Sequence, residues 1–215
     1  DAGAGSDTII GVVSAGDTVG LGDDADSFTY QALTGAASIV DGGSDSDTLV
    51  VGAGGSALTI DFSSTNDQIA AETGSYRNFE NLAAGSATVD LTVTTGNSGG
   101  LIVTGSGDDD VTVSAANDDV STGAGDDIIN VTAATLNSAI DAGGNTGVGD
   151  TLNVLGGGTL GMSVTAVGIE NVSLAVATNF TANALSGLRI TGSAGDDTIT
   201  VGAGDQVIGG AGGDD

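Results

Sequence analysis

Residues 105–131 read GSGDDDVTV, SAANDDVST and GAGDDIINV when they are divided into nines. Two side-chain types recur in this block every nine residues, an aspartate and a large aliphatic residue: Asp109, Asp118 and Asp127, and Val111, Val120 and Ile129. The shared pattern is G-x-G-x-D-x-U, in which U is the aliphatic residue. A nine-residue period that holds without a shift predicts a chain built from stacked repeats.

The same pattern returns outside this block with small departures. It covers residues 3–9 and 42–49, where Asp45 takes a glycine position, and residues 192–199, where Ser193 takes one. One step after the last copy, Gln206 stands in the aspartate position. Looser copies cover residues 20–28 and 147–152.

The two halves of each nonapeptide predict different local structures. The glycine-rich half favours a sharp turn, because glycine reaches positive φ without a Cβ clash. The x-U-x half favours a short strand that points the aliphatic side chain inward. Each nonapeptide is then half a turn of a parallel β-solenoid. The alternative, Gly-Asp turns in an ordinary antiparallel protein, does not require a nine-residue register.

These motifs resemble the RTX nonapeptide repeat, G-G-x-G-x-D-x-U-x, of secreted calcium-binding proteins. The resemblance implies an all-β fold, a right-handed parallel β-roll or β-solenoid with several calcium ions in its Gly/Asp-rich turns. Calcium prefers carboxylate and carbonyl oxygens, which such turns supply together. The candidate metal-binding aspartates are Asp7, Asp24, Asp26, Asp45, Asp47, Asp108, Asp109, Asp118, Asp126, Asp127, Asp150, Asp196 and Asp197. The candidate turn glycines are Gly3, Gly5, Gly43, Gly105, Gly107, Gly123, Gly125 and Gly195. For any one aspartate, the alternative is a solvated or turn-capping carboxylate.

Composition excludes several function classes. The chain has 29 Asp and Glu against 2 basic residues, a formal net charge of −27, and neither His nor Cys. It therefore lacks the residues of a Ser-His-Asp triad, a cysteine nucleophile or an ordinary zinc, haem or iron–sulfur site. Two arginines cannot hold a nucleic-acid backbone. No apolar run approaches the ~20 residues of a membrane span. The 39% of hydrophobic residues argues against disorder.

A longer repeat overlies the nonapeptides. The series D-T-L-x-V, U-E-N-U and U-x-U-T-G-S-x-x-D occurs twice, beginning at Asp47, Phe79 and Leu101 and again at Asp150, Ile169 and Leu188. We read residues 1–215 as one continuous solenoid segment that contains two copies of a unit, about 41–131 and 141–215. This arrangement resembles RTX-type bacterial S-layer proteins and large secreted adhesins. Both termini fall inside a motif, which predicts either a segment of a longer polypeptide or one unit of an assembly that continues at both ends.

Regions without Asp-rich turns give further expectations of secondary structure. Period-two alternation predicts strands at 57–62, 87–93 and 162–167. A polar N-cap and a following glycine predict short helices at 65–72 and 179–185.

The function expected from these features is an extracellular, calcium-binding structural module of a bacterial surface layer or filament. It would fold on calcium binding after secretion, and its partners would be copies of itself, with cell-surface polysaccharide as a further candidate. We expect no catalysis, nucleic-acid binding or membrane insertion. Two alternatives stay open: a non-catalytic adhesin region that binds glycan or surfaces, and the repeat region of a secreted enzyme.

Overall fold

The structure is a computed structural model that describes residues 1–33, 35, 37–53, 57–96, 99–114, 117–132, 139–161, 166–182 and 186–211. These residues form an all-β solenoid of about 9 turns, without a helix. Every strand pairing among them is parallel. The parallel solenoid expected from the nonapeptides is confirmed, and the antiparallel alternative is wrong.

The strands stack into four sheets, which we number I to IV. Sheet I contains β1 (Gly3–Ala4), β3 (Thr18–Asp23), β5 (Ile39–Gly43) and β8 (Ser75–Arg77). Sheet II contains β2 (Thr8–Ile9), β4 (Ser27–Thr29), β6 (Thr48–Val50), β9 (Asn81–Ala83), β11 (Leu101–Val103), β13 (Asp119–Ser121), β15 (Ala139–Asp141) and β18 (Ala166–Val167). Sheet III contains β7 (Leu58–Asp61), β10 (Leu91–Thr94), β12 (Asp110–Thr112), β14 (Ile128–Val131), β16 (Asp150–Val154), β19 (Ile169–Leu174), β21 (Arg189–Thr191) and β23 (Gln206–Ile208). Sheet IV contains β17 (Gly158–Gly161), β20 (Thr178–Thr181) and β22 (Thr198–Thr200).

The two nonapeptides of one central turn occupy facing strands. Asp110 pairs with Ile128 in sheet III, and Leu101 pairs with Asp119 in sheet II. Both steps equal two nonapeptides, so each nonapeptide is half a turn here. The aliphatic residues of the three central motifs, Val111, Val120 and Ile129, point inward, as the alternation predicts.

The core is a pair of facing stacks of these inward side chains. Sheet III contributes Val93, Val111, Ile129, Leu152, Val172 and Ile190, and sheet II contributes Phe28, Leu49, Leu82, Ile102, Val120 and Ile140. All of them are at most 3% exposed. Full burial of a side chain of this size stabilises a fold by about 1.5–3 kcal/mol.

The pair of sheets around the core changes along the chain. The first turns use sheets I and II, the central turns use sheets II and III, and the last turns use sheets III and IV. The landmarks of the longer repeat follow this change. The strand after Asp47 lies in sheet II, whereas the strand that begins at Asp150 lies in sheet III. Equivalent residues of the two copies therefore occupy successive sheets.

The helix expected at 65–72 is wrong, because the backbone of Gln68 bonds to strands of two sheets. The N–H of Asp61 donates to the carbonyl of Gln68 at 2.9 Å, and the N–H of Gln68 donates to the carbonyl of Tyr76 at 2.6 Å. The Gln68 side chain also binds the backbone N–H and carbonyl of Phe79. The segment thus bridges the edges of sheets III and I.

The remaining local expectations have mixed outcomes. The strand expected at 57–62 is confirmed by β7. The strand expected at 87–93 begins only at Leu91. Ala87 belongs to a turn instead, because its backbone N–H donates to the carbonyl of Ala84 at 2.7 Å. The helix expected at 179–185 is wrong where it is described: Asn179 pairs with Thr198 in sheet IV, and Phe180 is buried. Residues 183–185, and 162–165 of the third expected strand, lie outside the described residues.

Candidate metal centre

A row of aspartates runs along sheet II, each lying immediately before a strand. The backbone N–H of Asp7 donates to Oδ1 of Asp26 at 2.7 Å, and the N–H of Asp26 donates to Oδ1 of Asp47 at 2.9 Å. The carboxylates of Asp26 and Asp47 therefore each reach back by one turn and accept a backbone N–H of the preceding aspartate. We call this row the first ladder.

A second ladder runs along sheet III in the same way. Oδ1 of Asp109 accepts the N–H of Leu91 at 2.7 Å, and Oδ1 of Asp127 accepts the N–H of Asp109 at 2.8 Å. The N–H of Asp127 then donates to Oδ1 of Asp150 at 2.8 Å. The nine-residue period brings these aspartates into line because successive members lie one full turn apart.

A glutamate closes each ladder. The N–H of Asp47 donates to Oε2 of Glu80, and the N–H of Asp150 donates to Oε2 of Glu170, both at 2.9 Å. The pairing of β16 with β19 shifts by one residue between Asp150 and Thr151, which leaves Glu170 in a bulge. The extra methylene of glutamate lets its carboxylate reach back to the position that aspartate occupies elsewhere.

The asparagine after each glutamate also binds the last aspartate of the ladder. Asn81 donates through Nδ2 to the carbonyl of Asp47 at 3.2 Å, and Asn171 does so to the carbonyl of Asp150 at 3.4 Å. The E-N landmark of the longer repeat is therefore the end of a carboxylate ladder. In the sequence this motif is visible as a repeat, but its spacing gives no signal for the role of Glu80 or Glu170.

Most ladder carboxylates keep one oxygen buried and unpaired. Oδ2 has no hydrogen-bond partner in six aspartates among the described residues: Asp7, Asp26, Asp47, Asp118, Asp127 and Asp150. Five of these side chains, all but Asp7, belong to residues that are 0–3% exposed. A buried acceptor without a partner costs about 1–3 kcal/mol, and more when it is charged. A cation or a proton bound at these oxygens would offset this cost.

Five carboxylates of the ladders and their closing glutamates have pKa values above the ordinary range. Burial raises the pKa of Asp47 to about 6, and the nearby charges of Glu80, Asp26 and Asp45 act in the same direction. Burial likewise raises the pKa of Asp150 to about 6, with the charges of Asp127, Glu170 and Asp126 adding to it. Burial also raises the pKa values of Asp109, Asp127 and Glu80.

An outer row of aspartates lies beside each ladder on the solvent side. Asp24 Oδ2 accepts the N–H of Gly5 at 3.0 Å, and Asp45 Oδ2 accepts the N–H of Asp24 at 3.2 Å. Near the second ladder the direction is reversed, since Asp108 Oδ1 accepts the N–H of Asp126 at 2.9 Å. Asp108 therefore binds the following turn, whereas its neighbour Asp109 binds the preceding turn.

Asp126 differs from the other candidates because backbone donors satisfy both of its oxygens. The N–H groups of residues 146–149 surround its carboxylate at 2.7–3.3 Å. These donors, led by Val148, lower the pKa of Asp126. This carboxylate holds the long turn before β16 in place.

Two further candidate aspartates cap turns: Asp118 precedes β13 in sheet II, beyond the turn of Glu80, and Asp197 precedes β22 in sheet IV. Asp118 Oδ1 accepts the N–H groups of Gly99 and Gly100, both at 3.1 Å. Asp197 Oδ1 accepts the N–H of Thr178 at 2.8 Å, while its Oδ2 binds the backbone and side chain of Ser193. Asp196 precedes it in the same turn.

The candidate glycines serve the turns in two ways. Five of them adopt positive φ: Gly3, Gly5, Gly43, Gly123 and Gly125. Gly105 and Gly107 instead pack so closely that a Cβ would overlap the carbonyls of Ala87 and Val89, and a Cβ on Gly195 would meet the side chain of Ala177 at 3.0 Å. The glycines thus serve either the backbone conformation of the turns or their close stacking, and both roles are independent of any metal.

No group of three or more carboxylates in the described part of the chain converges closely enough to hold a metal ion by itself. The carboxylates lie in rows, with one inner member per turn. A cation in such a row would need backbone carbonyl oxygens to complete its coordination, as calcium sites commonly use.

Comparison with family models, curated proteins and solved structures finds no match to this chain. In the part of the chain that the structure describes, no helix has the length and apolarity that a membrane crossing requires. The resemblance to RTX repeats therefore rests on the sequence motifs alone.

Proposed function

We propose that the chain is a calcium-loaded structural module of a bacterial cell-surface layer or filament, and that it is not a catalyst. One observation carries this proposal: the unpaired Oδ2 atoms buried in the rows of aspartates. A folded protein does not stably bury several unpaired carboxylate oxygens without a compensating charge. The protein supplies almost none, since it has only 2 basic residues.

The donor atoms favour calcium over other metals. Every ladder donor is a carboxylate, the neighbouring backbone adds carbonyl oxygens, and the chain has no His or Cys. Zinc, copper and iron prefer nitrogen or sulfur ligands, whereas calcium takes six to eight oxygens in flexible geometry. A divalent ion also neutralises two carboxylates at once, which suits a chain of net charge −27.

Calcium would act as the signal to fold outside the cell. Without the ion, the carboxylates of successive turns repel one another and oppose stacking. With it, each ion joins neighbouring turns, so metal binding contributes directly to the folding free energy. We further propose that the folded modules associate with copies of themselves, which is the use that the RTX resemblance implies for a non-catalytic repeat region.

A calcium titration tests the proposal. Protein purified in metal-free buffer is followed by far-UV circular dichroism and size-exclusion chromatography as calcium is added, with magnesium as a parallel control. We expect a transition from an expanded chain to a compact β structure with calcium and a much smaller effect with magnesium. Electron microscopy of the product then tests for sheets or filaments. A chain that is fully folded without metal overturns the proposed switch, and folded monomers without assembly overturn the structural role.

Matched variants show whether the ladders are responsible. Asp26→Asn and Asp150→Asn remove charge from buried ladder positions, while Asp119→Asn removes it from an exposed strand position. The two ladder variants should require more calcium to fold, and Asp119→Asn should behave as the unaltered protein. Equal behaviour of all three variants would mean that calcium acts on the general surface charge.

A further inference from the structure

A hollow with a volume of about 320 Å³ lies on the outer face of sheet II, across strands β11, β13, β15 and β18. The strand register explains why it forms. Asp119 of β13 pairs with Ala139 of β15, and two residues further along, Ser121 pairs with Asp141. The two aspartates thus occupy one diagonal of a square and the two small side chains occupy the other, which leaves space between the carboxylates.

Apolar side chains border the hollow on both sides. Leu101 of β11 pairs with Asp119, and Val167 of β18 pairs with Asp141. Both apolar residues are 51% exposed, although their neighbours in the same strands point into the core. A carboxylate beside an apolar side chain suits a ligand that combines a hydrocarbon stem with a cationic head, as the side chains of lysine and arginine do.

The two aspartates of the hollow are not neutralised within the chain. Oδ1 of Asp141 accepts the backbone N–H of Gly143 at 3.0 Å, and no donor in the described part of the chain binds the side chain of Asp119. The outward aspartate of β12 in sheet III differs, since Asp110 Oδ1 accepts Nδ2 of Asn130 at 2.6 Å. A cation that enters the hollow would therefore meet two carboxylates without displacing a side-chain partner.

The chain has one cationic side chain left to meet these carboxylates. Of its 2 basic residues, Arg77 is bound to Asp41 through Nη2 at 2.7 Å and through Nε at 2.8 Å. Arg189 is exposed in β21, on the outer face of sheet III, where it lies between Asn171 and Gln206. Among the residues that the structure describes, it pairs with no carboxylate.

The hollow and Arg189 lie on opposite sides of the molecule. Sheets II and III face each other across the core, so their outer faces point away from each other. Arg189 can therefore enter only the hollow of another copy. Such a contact joins two different surfaces, so a pair of copies still has a free arginine at one end and a free hollow at the other. Contacts of this kind extend into filaments unless they close into a ring.

We propose that Arg189 of one copy binds in the hollow of the next copy, with its guanidinium between Asp119 and Asp141. The hydrocarbon stem lies against Leu101 and Val167, and the planar guanidinium donates to both carboxylates. The inference rests on the proposed self-association and identifies the surfaces that carry it. Copies with a net charge of −27 repel each other over most of their surface. The contact at which opposite charges meet therefore sets their orientation.

Charge-removing variants of the two surfaces test the proposal. Arg189→Gln removes the cation, and Asp119→Asn/Asp141→Asn removes both carboxylates of the hollow with little change in shape. Asp23→Asn/Asp90→Asn is the matched control, because it removes two charges from exposed positions elsewhere. All variants are whole chains in saturating calcium. Circular dichroism should show that each folds as the unaltered chain does, since every substituted side chain is exposed.

Sedimentation velocity across a range of protein concentrations measures assembly. Arg189→Gln and Asp119→Asn/Asp141→Asn should each require at least ~10-fold more protein to assemble than the unaltered chain, because each removes one side of a buried charge pair. All three substitutions together should raise that concentration little further, since they remove the same contact. The control should assemble as the unaltered chain does.

A mixture of the two variants gives a further test. Arg189→Gln retains the hollow and the aspartate variant retains Arg189, so an equal mixture should form pairs of chains but no longer assemblies. Assembly of Arg189→Gln at the concentration of the unaltered chain overturns the inference, and so does an equal loss of assembly in the control. If Arg189→Gln does not fold, the aspartate variant decides in the same way. Folded, unaltered chains that never assemble overturn the proposed structural role itself.

Discussion

The backbone N–H of Asp127 donates to Oδ1 of Asp150 across 2.8 Å, although the two residues are 23 positions apart in the chain. Oδ1 of Asp127 accepts the N–H of Asp109 in the same manner. Oδ2 of Asp127 has no partner and is buried. One side chain therefore has two opposing effects, since one oxygen joins neighbouring turns while the other leaves an unpaired charge in the interior.

Asp127→Asn should separate these two effects. The amide oxygen can still accept the N–H of Asp109, and the repulsion from Asp108 and Asp126 is removed. In metal-free buffer we expect the variant to be more stable by about 1 kcal/mol, because a buried charge becomes neutral. In calcium it should be less stable than the unaltered protein. Thermal unfolding in both buffers measures this reversal, with Asp119→Asn as the exposed control. A loss of stability in both buffers would show that the hydrogen bond alone matters.

Adjacent isoleucines in β14 provide a matched test of the core. Ile129 is 0% exposed and stacks between Val111 and Leu152, whereas Ile128 is 39% exposed on the outer face. Ile129→Ala should lower the free energy of unfolding by about 2–5 kcal/mol through lost burial and a residual cavity. Ile128→Ala should change it by about 0.5 kcal/mol or less. Denaturant unfolding in calcium measures both, and similar losses would contradict the inward assignment of the motif aliphatic.

The nine-residue period was sufficient to predict the strands, their parallel pairing and the inward side chains, because those features repeat with every turn. It could not predict the partners of Glu80 and Glu170, since loops of different length separate each glutamate from its aspartate. The expected helix at 65–72 failed for a related reason. Local propensity favoured it, but Gln68 gains bonds to two sheets instead. Non-periodic contacts of this kind leave no spacing signal in one sequence.

Gly123 should tolerate no side chain. Its φ is +98°, and a Cβ would overlap the carbonyl oxygen of Gly105 in the preceding turn. Gly123→Ala should lower the free energy of unfolding by at least about 1–3 kcal/mol through the strained backbone conformation alone. The steric overlap should lower it further. Gly52→Ala is the control, since nothing lies within 4 Å of its Cβ position and its φ is not positive. Urea midpoints at saturating calcium compare the two variants, and an unaffected Gly123→Ala would contradict the tight stacking of these turns.

The metal-free protein should lose stability as the pH rises from about 4 to 7. Burial raises the pKa values of Asp47 and Asp150 from 3.8 to about 6, so the folded chain binds more protons than the unfolded chain in this interval. Each aspartate then contributes about 3 kcal/mol that is present below pH 4 and lost above pH 6. Calcium should reverse the slope, because protons displace the ion at low pH. Urea unfolding between pH 5 and 7.5, with and without calcium, measures both slopes.

Since the net charge of −27 also weakens on acidification, the double variant Asp47→Asn/Asp150→Asn isolates the two aspartates. Its metal-free slope should be flatter, and an unchanged slope would assign the pH dependence to the surface charge instead.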